Sequence, residues 1–195
     1  WRPKERLRLT YATRGMEPMR GFPEFVQSLP ALLDRYPSLE VIIAGEDRVA
    51  YGSRIPEEGS FGRWAQRLLK PWLEVGSVRF VGQLPIKAYA RLLKSSHVHC
   101  YLTRPFVASW SLLDAMASGC CLVASDLEPV REMTDSKATT WVDQRNQELL
   151  IDGLDHALSL NTDERVARGR LQRQKAVHTW SRRLSLESWR GLLGI

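Results

Sequence analysis

Cysteine and long apolar runs are scarce in this 195-residue sequence. Its three cysteines, Cys100, Cys120 and Cys121, lie in apolar stretches and form neither a CxxC pair nor a His/Cys spacing typical of zinc ligands. We therefore expect buried thiols rather than a disulfide framework. No apolar run approaches the roughly 20 residues that a membrane span needs, and the N-terminal segment lacks the apolar core of a signal peptide. These absences predict a cytoplasmic protein.

Several nucleotide-binding and hydrolytic motifs are also missing. No G-x-G-x-x-G follows the first predicted strand, and neither Walker A nor G-x-S-x-G occurs, which disfavours a plain NAD-binding domain and an α/β-hydrolase. Asp-x-Asp, a common sign of a Mg²⁺ or Mn²⁺ site for nucleotide sugars, is absent. His97 and His99 share one face of a predicted strand, but no carboxylate or cysteine is spaced to complete a metal site. We interpret both histidines as structural and expect no metal.

The charged residues are unevenly distributed. There are 28 lysines and arginines against 22 acidic residues, a formal net charge of +6, which favours an anionic partner. Much of the excess lies between residues 165 and 190. This basic tail is compatible with a solvated helix face, an anionic membrane surface or contact with another domain. Aromatic residues in it are limited to Trp180 and Trp189, which argues against nucleic acid as a partner.

Short apolar segments alternate with amphipathic ones along the chain. With 44% hydrophobic residues the chain can bury one core. The alternation predicts an α/β fold, a doubly wound parallel six-stranded Rossmann-like sheet with C-terminal helices. We expect a Rossmann-like domain at residues 1–160 and basic helices at 161–195. Strands are predicted at 7–12, 39–44, 78–81, 98–102, 120–124 and 139–142, and helices at 23–36, 61–75 (kinked or ended early by Pro71), 86–94, 110–118, 147–159, 163–180 and 184–193.

The segment 104–125, RPFVASWSLLDAMASGCCLVAS, is the most informative stretch. It is predicted to form a loop, a helix that Ser109 or Ser111 caps and Gly119 ends, and a buried strand. In a doubly wound sheet, the first turn of that helix faces the crevice at the carboxyl edge of the strands. Its free N–H groups and the positive end of the helix dipole predict a site for phosphate, although most such helix starts bind nothing.

Two arginines follow the first predicted strand. Arg14 and Arg20 lie in the predicted loop 13–21, TRGMEPMRG, which precedes a helix. Guanidinium groups near a helix start are well suited to a diphosphate. The alternative is that the two arginines pair with Glu17 and Glu24 of the same region. The sequence leaves both interpretations open.

Taken in order, these stretches resemble the C-terminal, donor-binding half of a retaining GT-B glycosyltransferase of family 4. The resemblance covers nearly the whole chain, and its specificity comes from the order of individually weak motifs. They are the Arg14…Arg20-Gly21 loop, LEVIIAG, VRFVGQL, HVHCYLTRPF, LLDAMASGCCLVAS and PVRE. The α/β sheet and the anion site follow from the residues themselves, whereas sugar transfer is implied by the resemblance alone.

The resemblance also implies roles for individual residues but assigns no catalytic residue. Asp114 stands where the family has the second glutamate of its Glu-x7-Glu motif, which binds ribose, and Phe106 takes the place of the first, near the sugar. The family's glycine-rich run after that glutamate is absent. The remaining implied contacts are the diphosphate with Arg14, Arg20, Gly21, Ser109, Trp110 and Ser111, and the nucleotide base with Gly82, Gln83 and Leu84.

The resemblance implies that a UDP- or GDP-linked sugar is the donor and that transfer needs no metal or cofactor. The acceptor site would belong to an N-terminal half not found in this sequence, so the chain alone is expected to be inactive. Polysaccharide or glycoconjugate synthesis, with peripheral contact at the inner membrane face, fits the family. Because of Phe106 and Asp114, two alternatives stay open: a degenerate GT-B scaffold without turnover, and a GT-B nucleotide-sugar epimerase.

Overall fold

A computed structural model describes residues 6–51, 56–105 and 109–193 of the chain. Its centre is a six-stranded sheet in which every neighbouring pair of strands is parallel. The strand order is β3-β2-β1-β4-β5-β6, as predicted for a doubly wound fold. The strands are β1 (Arg8–Gly15), β2 (Glu40–Glu46), β3 (Val78–Gly82), β4 (Val98–Tyr101), β5 (Leu122–Ser125) and β6 (Thr139–Val142).

Helices connect the strands and close the chain. Three elements depart from the predicted pattern and are taken up below: a short 3-10 turn at Pro18–Arg20, a divided helix near Leu69 and an extra helix after β5. The helices are α1 (Phe22–Arg35), α2 (Phe61–Leu68), α3 (Lys70–Glu74), α4 (Ile86–Lys94), α5 (Trp110–Ala117), α6 (Glu128–Met133), α7 (Gln147–Ser159), α8 (Thr162–Thr179) and α9 (Arg182–Leu193).

Apolar side chains cover both faces of the sheet. On one face Tyr11 of β1 stacks on Phe25 of α1, with ring centroids 4.6 Å apart. On the other face Leu112 and Met116 of α5 are buried in a cluster that includes Leu122 of β5. Strands covered on both faces need apolar residues at every position, which is why β4 and β5 lack polar alternation. The three cysteines are free and buried in these apolar layers, as expected.

The structure corrects two predicted boundaries and confirms the interruption that Pro71 was expected to cause in helix 61–75. β1 continues to Gly15, so Arg14 lies on a strand rather than in a loop. The predicted helix 61–75 divides at Leu69, and Pro71 lies in the first turn of α3, where its missing N–H costs no hydrogen bond. The segment after β5, for which no helix was predicted, contains α6, which has Pro129 in its first turn.

The two C-terminal helices differ in how they pack. α8 lies on α5, where a Cβ added at Gly169 would collide with the Gly119 carbonyl oxygen. Gln172 of α8 is buried, and its Nε2 donates to Thr139 Oγ1 at 2.7 Å. α9, in contrast, leaves Trp189 61% exposed. The division at residue 160 remains a prediction. Within the described ranges, no helix has the length and apolarity to cross a membrane.

Two histidines, one on β4 and one just before it, form hydrogen bonds with β1. The Nδ1 atom of His97 accepts from the Arg8 amide at 2.9 Å, and the Nδ1 atom of His99 lies 2.8 Å from Thr10 Oγ1. His99 is fully buried, and burial lowers the pKa of its imidazole from 6.5 to about 4. The neutral ring is therefore part of the core.

We expect His99 to make the fold sensitive to acid. In the unfolded chain this histidine binds a proton near its ordinary pKa of 6.5, whereas the folded protein resists protonation until about pH 4. Stability should therefore fall by about 2–3 kcal/mol as the pH drops through this window. Urea unfolding between pH 4 and 7.5 should show a smaller loss for His99→Gln than for the wild type. The matched control His178→Gln, on an exposed residue, should behave as the wild type; identical pH profiles for all three would contradict the assignment.

Candidate functional site

Two adjoining cavities lie at the carboxyl edge of the sheet, beside the start of α5. One, about 260 Å³, contains Arg20 and the beginning of α5 and is called the Arg20 cavity below. The other, about 240 Å³, is called the Asp114 cavity. Their linings share Ala12, Thr13, Arg14 and Ser111, so the two form one continuous site. In an open parallel sheet this is the edge where ligands bind.

The Arg20 cavity is built on the 3-10 turn between β1 and α1. The hydroxyl of Tyr11 donates to the carbonyl oxygen of Arg20 at 2.7 Å, which ties the turn to the end of β1. Gly21 follows with φ 64° and lets the turn pack closely against Leu102. The Nη1 atom of Arg20 is buried and has no hydrogen-bond partner among the described residues. Arg20 also lines the cavity, and a guanidinium group with an unpaired nitrogen is suited to receive an anion.

The two acidic residues near the arginines have other partners. The Glu17 carboxylate accepts from the amides of Ala50 and Tyr51 at 2.5 and 2.8 Å. Glu24 accepts from Nη2 of Arg104 at 3.1 Å. The alternative pairing of Arg14 and Arg20 with these carboxylates is therefore wrong. Arg14 instead lies exposed on β1 and lines both cavities.

The start of α5 completes the Arg20 cavity. Ser109 is the N-cap residue, but its side chain does not cap the helix as predicted, because Ser109 Oγ bonds to Ser111 Oγ at 2.6 Å. The Tyr101 hydroxyl instead accepts from the Ser109 amide at 3.0 Å and so holds the loop against β4. The Trp110 side chain is exposed at the rim. Ser109, Trp110 and Ser111 of this first turn line the same cavity as Arg20, and the first turn of a helix has N–H groups without intrahelical partners.

The Asp114 cavity collects residues from β1, β2, the loop after β3, α4 and α5. Asp114 lies one helical turn after Ser111 on α5, so both side chains occupy one face. Gln83 and Leu84 line the opposite wall in the loop after β3, and Gly82 ends that strand just before them. Tyr89 of α4 closes the cavity. Partial desolvation raises the pKa of the Asp114 carboxyl above its ordinary value.

Phe106, predicted to lie near the sugar, falls outside the described residues. Its position near the sugar therefore remains a prediction. The tyrosines Tyr11, Tyr89 and Tyr101 line the site but were missed from the sequence. For Tyr101 a signal existed, because it is the last residue of the buried strand β4, beside the crevice.

A larger cavity of about 540 Å³ lies at the opposite, amino edge of the sheet. Two of its three arginines are engaged within the protein, since Arg8 pairs with Glu40 at 2.7 Å and Arg165 donates to the carbonyl oxygens of Leu158 and Leu160. We therefore place the functional site at the carboxyl edge despite its smaller volume. Across residues 6–51, 56–105 and 109–193, no three His, Cys, Asp or Glu side chains are grouped to hold a metal ion.

Comparison with known proteins points to sugar transfer. The family model described as Glycosyl transferases group 1 matches residues 6–159. The phosphatidyl-myo-inositol mannosyltransferase of Mycolicibacterium smegmatis is 29% identical over 135 residues, covering 67% of this chain and 30% of that protein. That of Mycobacterium tuberculosis is 28% identical, covering 67% and 31%. The match thus spans about 30% of the length of these curated relatives.

Solved structures of low sequence identity share the fold. Sucrose-phosphate synthase from Thermosynechococcus elongatus superposes with a TM-score of 0.75 at 16% identity, covering 98% of this chain and 47% of that one. HepE from Anabaena, solved with UDP and glucose, gives 0.75 at 12% identity, covering 96% and 48%. TarM from S. aureus, solved with UDP among its ligands, gives 0.74 at 16% identity, covering 97% and 36%. The sheet is therefore the Rossmann-like half found in GT-B glycosyltransferases.

Proposed function

This chain belongs to the glycosyl transferases group 1 family, and on that basis we propose that it supplies the donor site of a sugar-transfer enzyme. The proposed donor is a nucleotide-diphosphate sugar, either UDP- or GDP-linked. One observation carries the proposal: the buried, unpaired Nη1 of Arg20, which points to an anionic ligand, as judged from the residues that the structure describes. HepE and TarM, which share the fold, were solved with UDP.

The shape of the site fits the parts of such a donor. We assign the diphosphate to the Arg20 cavity, where Arg14, Arg20 and the amides that start α5 would neutralise it. We assign the nucleoside to the Asp114 cavity, with Asp114 accepting from ribose hydroxyls and Gln83 and Leu84 beside the base. Gly21 allows the close approach of the turn to Leu102.

In the proposed reaction these cations stabilise charge on the departing diphosphate. Electrostatic stabilisation of a leaving group requires no protein base and, where arginines and amides supply the positive charge, no metal ion. Transfer would proceed with retention, as the family-4 resemblance implies. The site residues Arg14, Arg20 and Ser111 come from β1, the 3-10 turn and α5, so the sheet holds the charges in place before the donor arrives.

The acceptor site is proposed to lie in an N-terminal half, since the match spans about 30% of the curated relatives. The exposed apolar side chains of α9, Leu186, Trp189 and Leu193, form a surface that this half could cover. Peripheral contact with an anionic membrane is the alternative, favoured by Arg182, Arg183 and Arg190 on the same helix. We propose a cytoplasmic location in either case.

A GT-B scaffold that binds without turnover is the second candidate. Asp114 favours it, because this carboxylate is one methylene shorter than the glutamate that the resemblance implies at the position. The two candidates differ in outcome. A full-length protein that binds the nucleotide sugar but neither hydrolyses nor transfers it would be a scaffold.

Calorimetric titration with UDP, GDP and ADP and their sugar conjugates tests the donor site. One nucleotide class is expected to bind, also in the presence of EDTA, and both Arg14→Ala and Asp114→Ala should weaken binding about tenfold. Arg91→Ala, on the exposed side of α4, is the matched control and should bind as the wild type. Absence of binding at millimolar nucleotide, or equal binding by all variants, would contradict the proposal.

A further inference from the structure

Tyr89 carries a polar group that the fold itself does not use. The residue lies on α4, and its ring packs against the buried cluster that includes Leu112 and Met116 of α5. Its hydroxyl oxygen is buried, yet it has no hydrogen-bond partner within the described part of the chain. Tyr89 also lines the Asp114 cavity. A residue with an unpaired buried hydroxyl thus lines the proposed donor site.

Other tyrosines of the core have partners for their hydroxyls. Tyr11 donates to the Arg20 carbonyl oxygen at 2.7 Å, and Tyr36 donates to Asp155 Oδ1 at 2.7 Å. Tyr101 accepts from the Ser109 amide at 3.0 Å. Because an unpaired buried hydroxyl destabilises a protein, phenylalanine would suit the position of Tyr89 better if packing were its only role. The contrast therefore points to a ligand as the partner.

The surroundings of Tyr89 define what kind of atom it can bind. Burial, together with the nearby Asp114 carboxylate, raises the pKa of the Tyr89 hydroxyl, which therefore stays protonated at neutral pH. A protonated phenol can donate to an oxygen or nitrogen acceptor of an uncharged group. Arg20, the cation with the buried unpaired nitrogen, lines only the Arg20 cavity, which Tyr89 does not help to line. Its partner should thus belong to the nucleoside.

We propose that Tyr89 is a specificity residue whose hydroxyl donates a hydrogen bond to the nucleoside part of the donor, beside Asp114. The inference rests on the proposed function. It adds a side-chain contact from α4 to the contacts from the loop after β3 and from α5. The nucleoside would then be gripped from three elements, whereas the diphosphate is held from β1, the 3-10 turn and α5.

The substitution Tyr89→Phe tests this contact, with UDP, GDP and pyrophosphate as probes in calorimetric titration. Binding of the preferred nucleotide should weaken five- to tenfold, on the order expected for one lost hydrogen bond, whereas pyrophosphate binding should not change. The thermal midpoint of the ligand-free protein should stay the same or rise, since the unpaired hydroxyl is removed. Tyr36→Phe is the matched control: its midpoint should fall because the bond to Asp155 is lost, with nucleotide affinity unchanged.

The outcomes separate the contact from the donor site itself. If the wild-type protein binds the nucleotide and Tyr89→Phe binds it equally well, the Tyr89 contact is refuted while the proposed function stands. If Tyr89→Phe weakens nucleotide and pyrophosphate alike, the hydroxyl does not act on the nucleoside and the inference also fails. If the wild type binds no nucleotide, both the proposed function and this inference are overturned.

Discussion

Replacing Arg20 by alanine is expected to weaken binding of the nucleoside diphosphate about 100-fold, because two charge-assisted hydrogen bonds to phosphate would be lost. The Nη1 atom of Arg20 is buried and finds no partner among residues 6–51, 56–105 and 109–193. The side chain therefore contributes its charge to the cavity rather than to an internal ion pair. Calorimetric titration of wild type and Arg20→Ala with UDP and GDP measures the loss.

The same substitution should leave the free energy of unfolding almost unchanged. The tie between the turn and β1 uses the carbonyl oxygen of Arg20, not its side chain, since Tyr11 donates to that carbonyl. Arg20→Lys, which keeps the charge but not the planar fork, should bind with intermediate affinity. Arg91→Ala, an exposed arginine, serves as the control. A loss below threefold for Arg20→Ala, with the protein folded, would remove Arg20 from the diphosphate site.

Gly21→Ala is expected to destabilise the fold by about 4 kcal/mol, as the sum of backbone strain and overpacking. Gly21 has φ 64°, a left-handed conformation that costs a residue with a Cβ about 1–2 kcal/mol. The added Cβ would also lie 2.5 Å from Leu102 Cβ and 3.2 Å from Gln144 Oε1. Gln144 is bonded to Ser125 Oγ, so moving it would disturb a buried hydrogen bond.

Urea unfolding of Gly21→Ala and Gly76→Ala separates the two costs. Gly76 has φ 74°, but an added Cβ there would meet nothing within 4 Å. Gly76→Ala should therefore lose only the backbone term, about 1–2 kcal/mol. If both variants lose the same free energy of unfolding, the turn can move away from Leu102 without cost. That result would contradict a rigid position for Arg20. Nucleotide affinity should fall in Gly21→Ala and remain unchanged in Gly76→Ala.

The sheet could be predicted because it follows from short apolar runs that are recognisable locally in the sequence. The runs at β2, β4 and β5 are mostly apolar and almost wholly buried, and such runs separated by amphipathic segments leave few arrangements other than a parallel sheet covered by helices. The break between α2 and α3 near Leu69 was likewise predictable from Pro71. The helix α6 was missed because six residues provide too little periodicity to recognise.

The partners of polar groups could not be predicted, since they depend on segments far apart in sequence. Whether Arg20 pairs with Glu24 was undecided until the fold brought Arg104 to that carboxylate. Ser109 or Ser111 was expected to cap α5, but the two hydroxyls bond to each other, and the Ser109 amide donates to Tyr101 at the end of β4. Tyr89 was not predicted as a site residue, because the lack of a partner for its hydroxyl becomes evident only once α4 packs against α5.

The sequence by itself thus determined the strands, the helix that begins near Ser109 and the family to which the chain belongs. Only the tertiary structure decided which side chains face a ligand, joining Arg20 from the turn, Asp114 from α5 and Tyr89 from α4 in one continuous site. The physical reason is that burial of apolar residues follows a short-range pattern along the chain. The satisfaction of a buried charge or hydroxyl, in contrast, depends on which distant groups reach it.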